Sequence, residues 1–272
     1  MKLTKKLIPA LGMLLLSACM MVTSTFAWFS MNTDVSATGM KVTAVGDQVY
    51  LQIGLKGELF ESTTLSYTTV QGAAATNALR PTAVVKSINA AADANSNNTV
   101  TNYTKGSDGW KWVTNNSSDI NSATAAGNYV EVPSNSVGNY YLVNEFDIRL
   151  DPKAGLTEAS GSLRVSGVSL AVPADKTNDA LGQCVSVFVV AGTCTQLWKQ
   201  TTAGEWYEEN AADNGVLTTG NFTSTEGAAT TVQVYVFFDG QNEQCKISNY
   251  KNAVNDYTVS VSFTVAPPTQ NN

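Results

Sequence analysis

From Tyr257 to Val265 apolar and polar residues alternate without a break. Tyr257, Val259, Val261, Phe263 and Val265 fall on one side and Thr258, Ser260, Ser262 and Thr264 on the other. A period of two sends successive side chains to opposite faces of an extended strand, whereas a helix would scatter the same residues around its circumference. The segment is therefore read as a strand with one buried and one wet face. The same alternation, carried by β-branched and aromatic residues, recurs at 35–45, 48–55, 140–150, 162–172, 184–191, 194–199 and 230–238. Beyond the first 27 residues nothing sustains a 3.6-residue apolar repeat, and a short helix over 87–94 is the most that the chain predicts. The expectation is an all-β protein whose strands form an antiparallel two-sheet sandwich.

Between these strands the chain turns polar. Residues 89–138 are rich in Asn, Ser, Ala, Thr and Gly, with Trp110, Trp112 and Tyr129 as their few large apolar residues. They are read as long Asn/Ser/Thr-rich loops carrying a small hairpin, inserted between strands of one sandwich. Residues 77–81 and 174–183 read as similar loops. No internal repeat of fixed period is present. The predicted organisation is a targeting segment at 1–27, an N-terminal strand segment at 28–45, a single sandwich domain at 46–266 and a tail at 267–272.

The first 27 residues open with Lys2, Lys5 and Lys6 and continue through the apolar run LIPALGMLLLSACMMV, the layout of a signal peptide. Two processing sites compete. Small residues before Trp28 favour cleavage after Ala27, whereas Leu16-Ser17-Ala18-Cys19 fits a lipobox in which Cys19 is lipidated. Met20, Met21 and Val22 prolong the apolar core beyond Cys19, where a lipoprotein would have a polar tether, and this favours Ala27. An uncleaved anchor is a third reading, disfavoured by Pro9, Gly12 and several Ser and Thr residues. Contact with a membrane is expected only through an uncleaved or lipidated leader. The tail after Ala266 carries no LPxTG-like signal for wall attachment.

Charge and residue types narrow the chemistry. The chain has a net charge of -6, and loss of Lys2, Lys5 and Lys6 with the leader takes it to -9 (-6 minus 3). No cluster of Lys or Arg remains to track a phosphate backbone, so nucleic acid is not an expected partner. The chain contains no His. Zinc-protease helices, Ser-His-Asp triads and Cys-His pairs are thereby excluded, and a non-enzymatic protein is expected.

The junction Thr25-Phe-Ala-Trp-Phe-Ser-Met-Asn-Thr-Asp-Val-Ser-Ala-Thr-Gly-Met-Lys-Val resembles that of SipW-type signal peptides in the TasA/camelysin family. Ala27, Trp28, Phe29, Asn32, Ala37 and Gly39 carry the likeness. The distal segment Val232 to Cys245, followed by Tyr257 to Phe263, is similar to a pattern in clostridial surface proteins. These likenesses span about the first 45 and the last 35 residues. They imply a secreted protein of a Gram-positive bacterium with a jelly-roll-like sandwich and a structural role in a biofilm matrix. A metalloprotease activity described for camelysin does not transfer to a chain without His.

Several constellations remain to be placed. Asp239, Asn242 and Glu243 offer oxygens that could bind Ca²⁺; the competing reading is a plain acidic hairpin turn, since EF-hand spacing is absent. No other cofactor is expected. Glu205, Glu208 and Glu209 around Trp206-Tyr207 form a candidate carboxylate pair for glycoside hydrolysis, set against a solvated loop. Trp110, Trp112, Trp198, Trp206 and Tyr207 are candidates for a sugar-stacking platform, set against ordinary core packing. If Cys19 leaves with the leader, three cysteines remain in an oxidising compartment. Cys184 and Cys245 are then predicted to share one end of the sandwich and form a disulfide, with Cys194 at the opposite end.

Two functions are expected from these features. The first is a secreted surface or biofilm-matrix protein that forms fibres by strand addition. Its donor would be the segment 28–45, with 30–34 as a hinge. The second is a cell-surface lipoprotein binding glycans as a single domain.

Overall fold

The computed structural model describes residues 41–45, 51–57, 60, 64–67, 79–89, 99–104, 109–115, 129–132, 139–150, 158–159, 161–172, 181–209, 215–223, 229–242, 244–245 and 257–266. The leader with Cys19, Ala27 and Trp28, the proximal part of 28–45, Glu243 and the tail lie outside these residues.

Each segment with a period of two contains a strand, whose ends differ by a residue at 140, 172, 184 and 257. One sheet has four strands in the order β10 (Ser162–Ala171), β16 (Thr258–Ala266), β1 (Lys41–Val45) and β3 (Thr64–Tyr67). A second has six, in the order β13 (Trp206–Glu208), β12 (Cys194–Gln200), β11 (Val185–Ala191), β15 (Thr230–Phe238), β8 (Tyr141–Leu150) and β2 (Leu51–Leu55). All pairs in the six-stranded sheet are antiparallel. The four-stranded sheet is antiparallel except that β1 runs parallel to β16. A parallel pair here departs from the fully antiparallel expectation, and it puts the first described strand beside the last.

The two sheets pack face to face over a mostly aliphatic core. Val165, Val259, Val261 and Phe263 from one meet Phe146, Ile148, Val187, Val234 and Val236 from the other, each 3% exposed or less. Gln196 bridges the layers: its Oε1 accepts the Val165 N–H at 2.8 Å, where a bulge shifts the β10 register between Val165 and Gly167. The outer edge of β10 is further covered, because Leu163 N–H donates to Thr218 Oγ1 at 3.0 Å and the Leu163 carbonyl accepts Leu217 N–H at 2.6 Å. Such side-chain and loop partners blunt a sheet edge against foreign strands. Nearby, β9 (Glu158–Ala159) and β14 (Phe222–Thr223) form a small ribbon.

The described residues of the polar region include strands where composition predicts loops. The region holds most of a third sheet, with the order β5 (Thr99–Asn102), β4 (Ala83–Asn89), β6 (Lys111–Asn115) and β7 (Tyr129–Glu131), rather than loops with one hairpin. The predicted helix is also corrected, since Ser87, Ile88 and Asn89 are strand and 90–94 lie outside the described residues. Pairing of β4 with β5 on one side and β6 on the other supplies the backbone hydrogen bonds that a helix would have given locally. This sheet lies on the second face of the six-stranded sheet, so β11 is buried along its whole length. A fully buried Thr82 ties the two together: its N–H donates to the Phe238 carbonyl at 3.0 Å, its carbonyl accepts Gly240 N–H at 2.9 Å, and its Oγ1 donates to the Val113 carbonyl at 2.8 Å.

Candidate functional site

Three chain segments converge at one end of the six-stranded sheet. The β12–β13 connection turns tightly at 201–205: Thr201 N–H donates to the Glu205 carbonyl at 2.8 Å and Gly204 N–H to the Thr201 carbonyl at 2.9 Å. Gly204 sits at φ +83, a conformation that a side chain would strain. Beside it, the segment after β15 is held by two consecutive Asx turns. Asp239 Oδ1 accepts Gln241 N–H at 3.0 Å, and Asn242 Oδ1 accepts Gln244 N–H at 2.9 Å. The third segment is the 3-10 turn Gly182–Cys184 ahead of β11, whose Gln183 carbonyl accepts Asn242 Nδ2–H at 2.9 Å.

These segments enclose an open cleft of about 390 Å³ lined by Gln200, Thr201, Thr202, Tyr207 and Asn242. Behind it lies an ion cluster. Lys199 Nζ is 3.3 Å from Asp239 Oδ2 and 3.7 Å from Glu209 Oε2, with the Lys199 side chain 17% exposed and that of Asp239 4%. Burial works against the Lys199 ammonium, but the Asp239 and Glu209 carboxylates outweigh it and hold its pKa above the ordinary lysine value. Burial, then the Glu209 charge, raises the Tyr207 phenol. The Tyr129 phenol is raised in the same way by burial and by Asp239.

Of the calcium candidates, Asp239 and Asn242 are described and Glu243 is not. Asp239 spends one oxygen on a backbone N–H and the other on the Lys199 ammonium, so a cation is already present, and Asn242 Oδ1 is committed within its own turn. Among the described residues no group of three or more His, Cys, Asp or Glu could hold a metal. The turn does not close a hairpin either, because β15 pairs with β11 and β8 while the next described strand, β16, belongs to the other sheet.

The three glutamates do not assemble into a pair. Glu208 stands opposite Trp198 in the β12–β13 ladder, and Glu209 extends that ladder through its N–H to the Leu197 carbonyl at 2.7 Å, which puts the two on opposite faces. Glu205 stays in the exposed turn. The tryptophans form no platform. Trp112 is 6% exposed and stacks on Tyr141 at 4.5 Å, Trp110 packs edge-on to Phe188 at 5.1 Å, and Trp198 and Trp206 pack half-buried against the aliphatic core. Tyr207, at 41%, is the exposed large apolar side chain among the described residues.

Cys184 and Cys245 are fully buried in one cluster and share this end of the sheet. The Cys184 carbonyl accepts Asp239 N–H at 2.7 Å, and Cys245 N–H donates to the Asn242 carbonyl at 2.9 Å. The structure carries them as thiols. Cys194 is at the far end, paired with Ala191 across the tight turn at Gly192.

Sequence reading missed Lys199, Gln200, Thr201 and Thr202. The Thr-Thr-Ala-Gly run signals the turn, but nothing local announces that Lys199 meets Asp239. No known protein family, curated protein or solved structure matches the chain.

Proposed function

We propose that this is a non-enzymatic, secreted surface or biofilm-matrix protein that assembles with copies of itself by strand addition. The observation that carries the reading is the place of β1. It lies inside a sheet, between β16 and β3, in a parallel register running from Lys41 beside Thr258 to Val45 beside Ser262. An identical strand from a second copy would make the same ladder with β16 and β3, because the two arrangements differ in connectivity and not in contacts. The covered edge of β10 directs such exchange to the β1 slot rather than to that side of the sheet. The TasA/camelysin-like junction at Ala27-Trp28 supports export and a matrix role, and the absence of His supports a role without catalysis.

The test compares two chains. One beginning at Trp28 is expected to form filaments visible by negative-stain microscopy. One beginning at Gly46 is expected to stay monomeric and to be capped by an added peptide spanning 28–45. A Trp28 chain that remains monomeric at high concentration, at mildly acidic and neutral pH and with or without Ca²⁺, would overturn the reading.

A further inference from the structure

We infer that the cleft at the Thr201 end of the six-stranded sheet binds a ring of a neutral saccharide, with Tyr207 as its stacking face. The site differs from the tryptophan platform expected from sequence, and the inference does not rest on self-assembly. Its lining consists of Gln200, Thr201, Thr202, Tyr207 and Asn242, none of them charged. A charged ligand would find no opposite charge in this wall, because the nearby Lys199 ammonium is already held by Asp239 and Glu209. A neutral ligand with hydroxyls at its rim and C–H groups on its face meets complementary groups.

Tyr207 offers an aromatic surface that water covers poorly and carries a hydroxyl at its tip. Gln200 fixes the wall, since its buried amide donates to the Gly182 carbonyl at 2.8 Å and the Val185 carbonyl at 3.1 Å. Asn242 spends one of its two Nδ2 donors on Gln183, and Thr202 adds an exposed hydroxyl. Donors, acceptors and an aromatic face thus converge in a volume of about 390 Å³, within the range of small-ligand pockets. The frame is set before any ligand arrives, since both bounding turns are closed by their own hydrogen bonds. That lowers the ordering cost of binding.

Saturation-transfer NMR and calorimetry on the full chain, with methyl glycosides of glucose, galactose and N-acetylglucosamine and their linear trisaccharides, test the assignment. At least one is expected to bind with a Kd of about 1 mM or tighter. Tyr207→Ala should weaken it about tenfold or more, while Tyr207→Phe should hold within about threefold, since the ring and not the hydroxyl carries the contact. Thr202→Trp, on the exposed turn, should block the cleft without relying on the fold of the Tyr207→Ala variant. No transfer from any glycoside at about 10 mM, or binding that survives both Tyr207→Ala and Thr202→Trp, overturns the inference. Preference for methyl glucuronide over methyl glucoside would overturn the neutral-ligand assignment. Filament formation is read separately, so the failure of either proposal leaves the other standing.

Discussion

The six-stranded sheet is buried on both faces, but by two different kinds of packing. Toward β10 and β16 the contact is mostly aliphatic, with rings such as Phe146 and Phe263 interspersed, and is spread along strands of seven to ten residues, with Val165, Val259 and Val261 against Val187, Val234 and Ile148. Toward the third sheet it is aromatic and concentrated. Trp112 lies within 6.1 Å of the rings of Tyr141, Phe237, Tyr235, Trp110 and Phe188, and the strands carrying the cover are three to seven residues long. A long strand buries area by repetition. A short one must do it with a few large rings, each of which removes far more surface from water than a valine. Two routes therefore lead to a covered face, and their sensitivity to single substitutions should differ.

The largest effect is expected from truncating a ring in each layer. Phe263→Ala and Trp112→Ala should each cost about 3–5 kcal/mol, from lost transfer energy and the cavity left behind. The difference should lie in where the cost is felt. Hydrogen exchange of Phe263→Ala should rise throughout both packed sheets. In Trp112→Ala it should rise at β4 and β6 while β15 and β16 stay protected. Loss of protection at β16 in the Trp112 variant would show that the two layers unfold as one unit.

A smaller effect sits at the end of the aliphatic layer. Under oxidising conditions Cys184 and Cys245 are proposed to form a disulfide, contributing about 2–4 kcal/mol by restricting the unfolded chain. Non-reduced peptide mapping that recovers Cys194 bonded to either one would refute this.

High pH should separate the layers by a different lever. Burial pushes the Tyr235 phenol up to about 12, and burial also raises Tyr141. A group whose folded pKa exceeds its unfolded value contributes stability that is complete below the unfolded value, 10.0 for Tyr, and that is lost as pH rises through the folded one. Lys199, raised from 10.5, acts with the same sign. Stability should thus fall as pH climbs from 10 toward 12, and Tyr235→Phe should move the alkaline unfolding midpoint upward. An unchanged midpoint would mean that the aromatic layer does not open first.

The smallest effect is expected on the outer surface of the third sheet, where Lys111 Nζ meets Glu131 Oε2 at 2.6 Å with both side chains about half exposed. Lys111→Ala should change stability by no more than about 1 kcal/mol, and added salt should erase the difference. A larger loss would mean that β6–β7 pairing depends on this contact.

The aliphatic layer was readable because its strands are long enough to repeat. Alternation over nine residues in β16 or β15 has one structural interpretation, and the expected boundaries at 230–238 match the observed Thr230–Phe238. The third sheet was not, because Lys111–Asn115 or Tyr129–Glu131 contains too few residues for a period to show, and its Thr and Asn content is as compatible with loop as with strand. The site fared likewise. Tyr207 was picked out as an aromatic, but four tryptophans beside it in that reading are packed away, and only packing could tell them apart.

By itself the sequence determined the fold class, eight of the strands and the exclusion of His-based chemistry, since periodicity and residue identity are properties of the chain alone. Tertiary structure decided which faces were covered, that β1 would lie parallel to β16, and that Lys199 would meet Asp239 behind a cleft of uncharged side chains. Those outcomes depend on contacts between residues far apart in the chain. Their energies come from surfaces, rings and charges that meet only once the sheets have stacked, and no local pattern encodes which partner each will find.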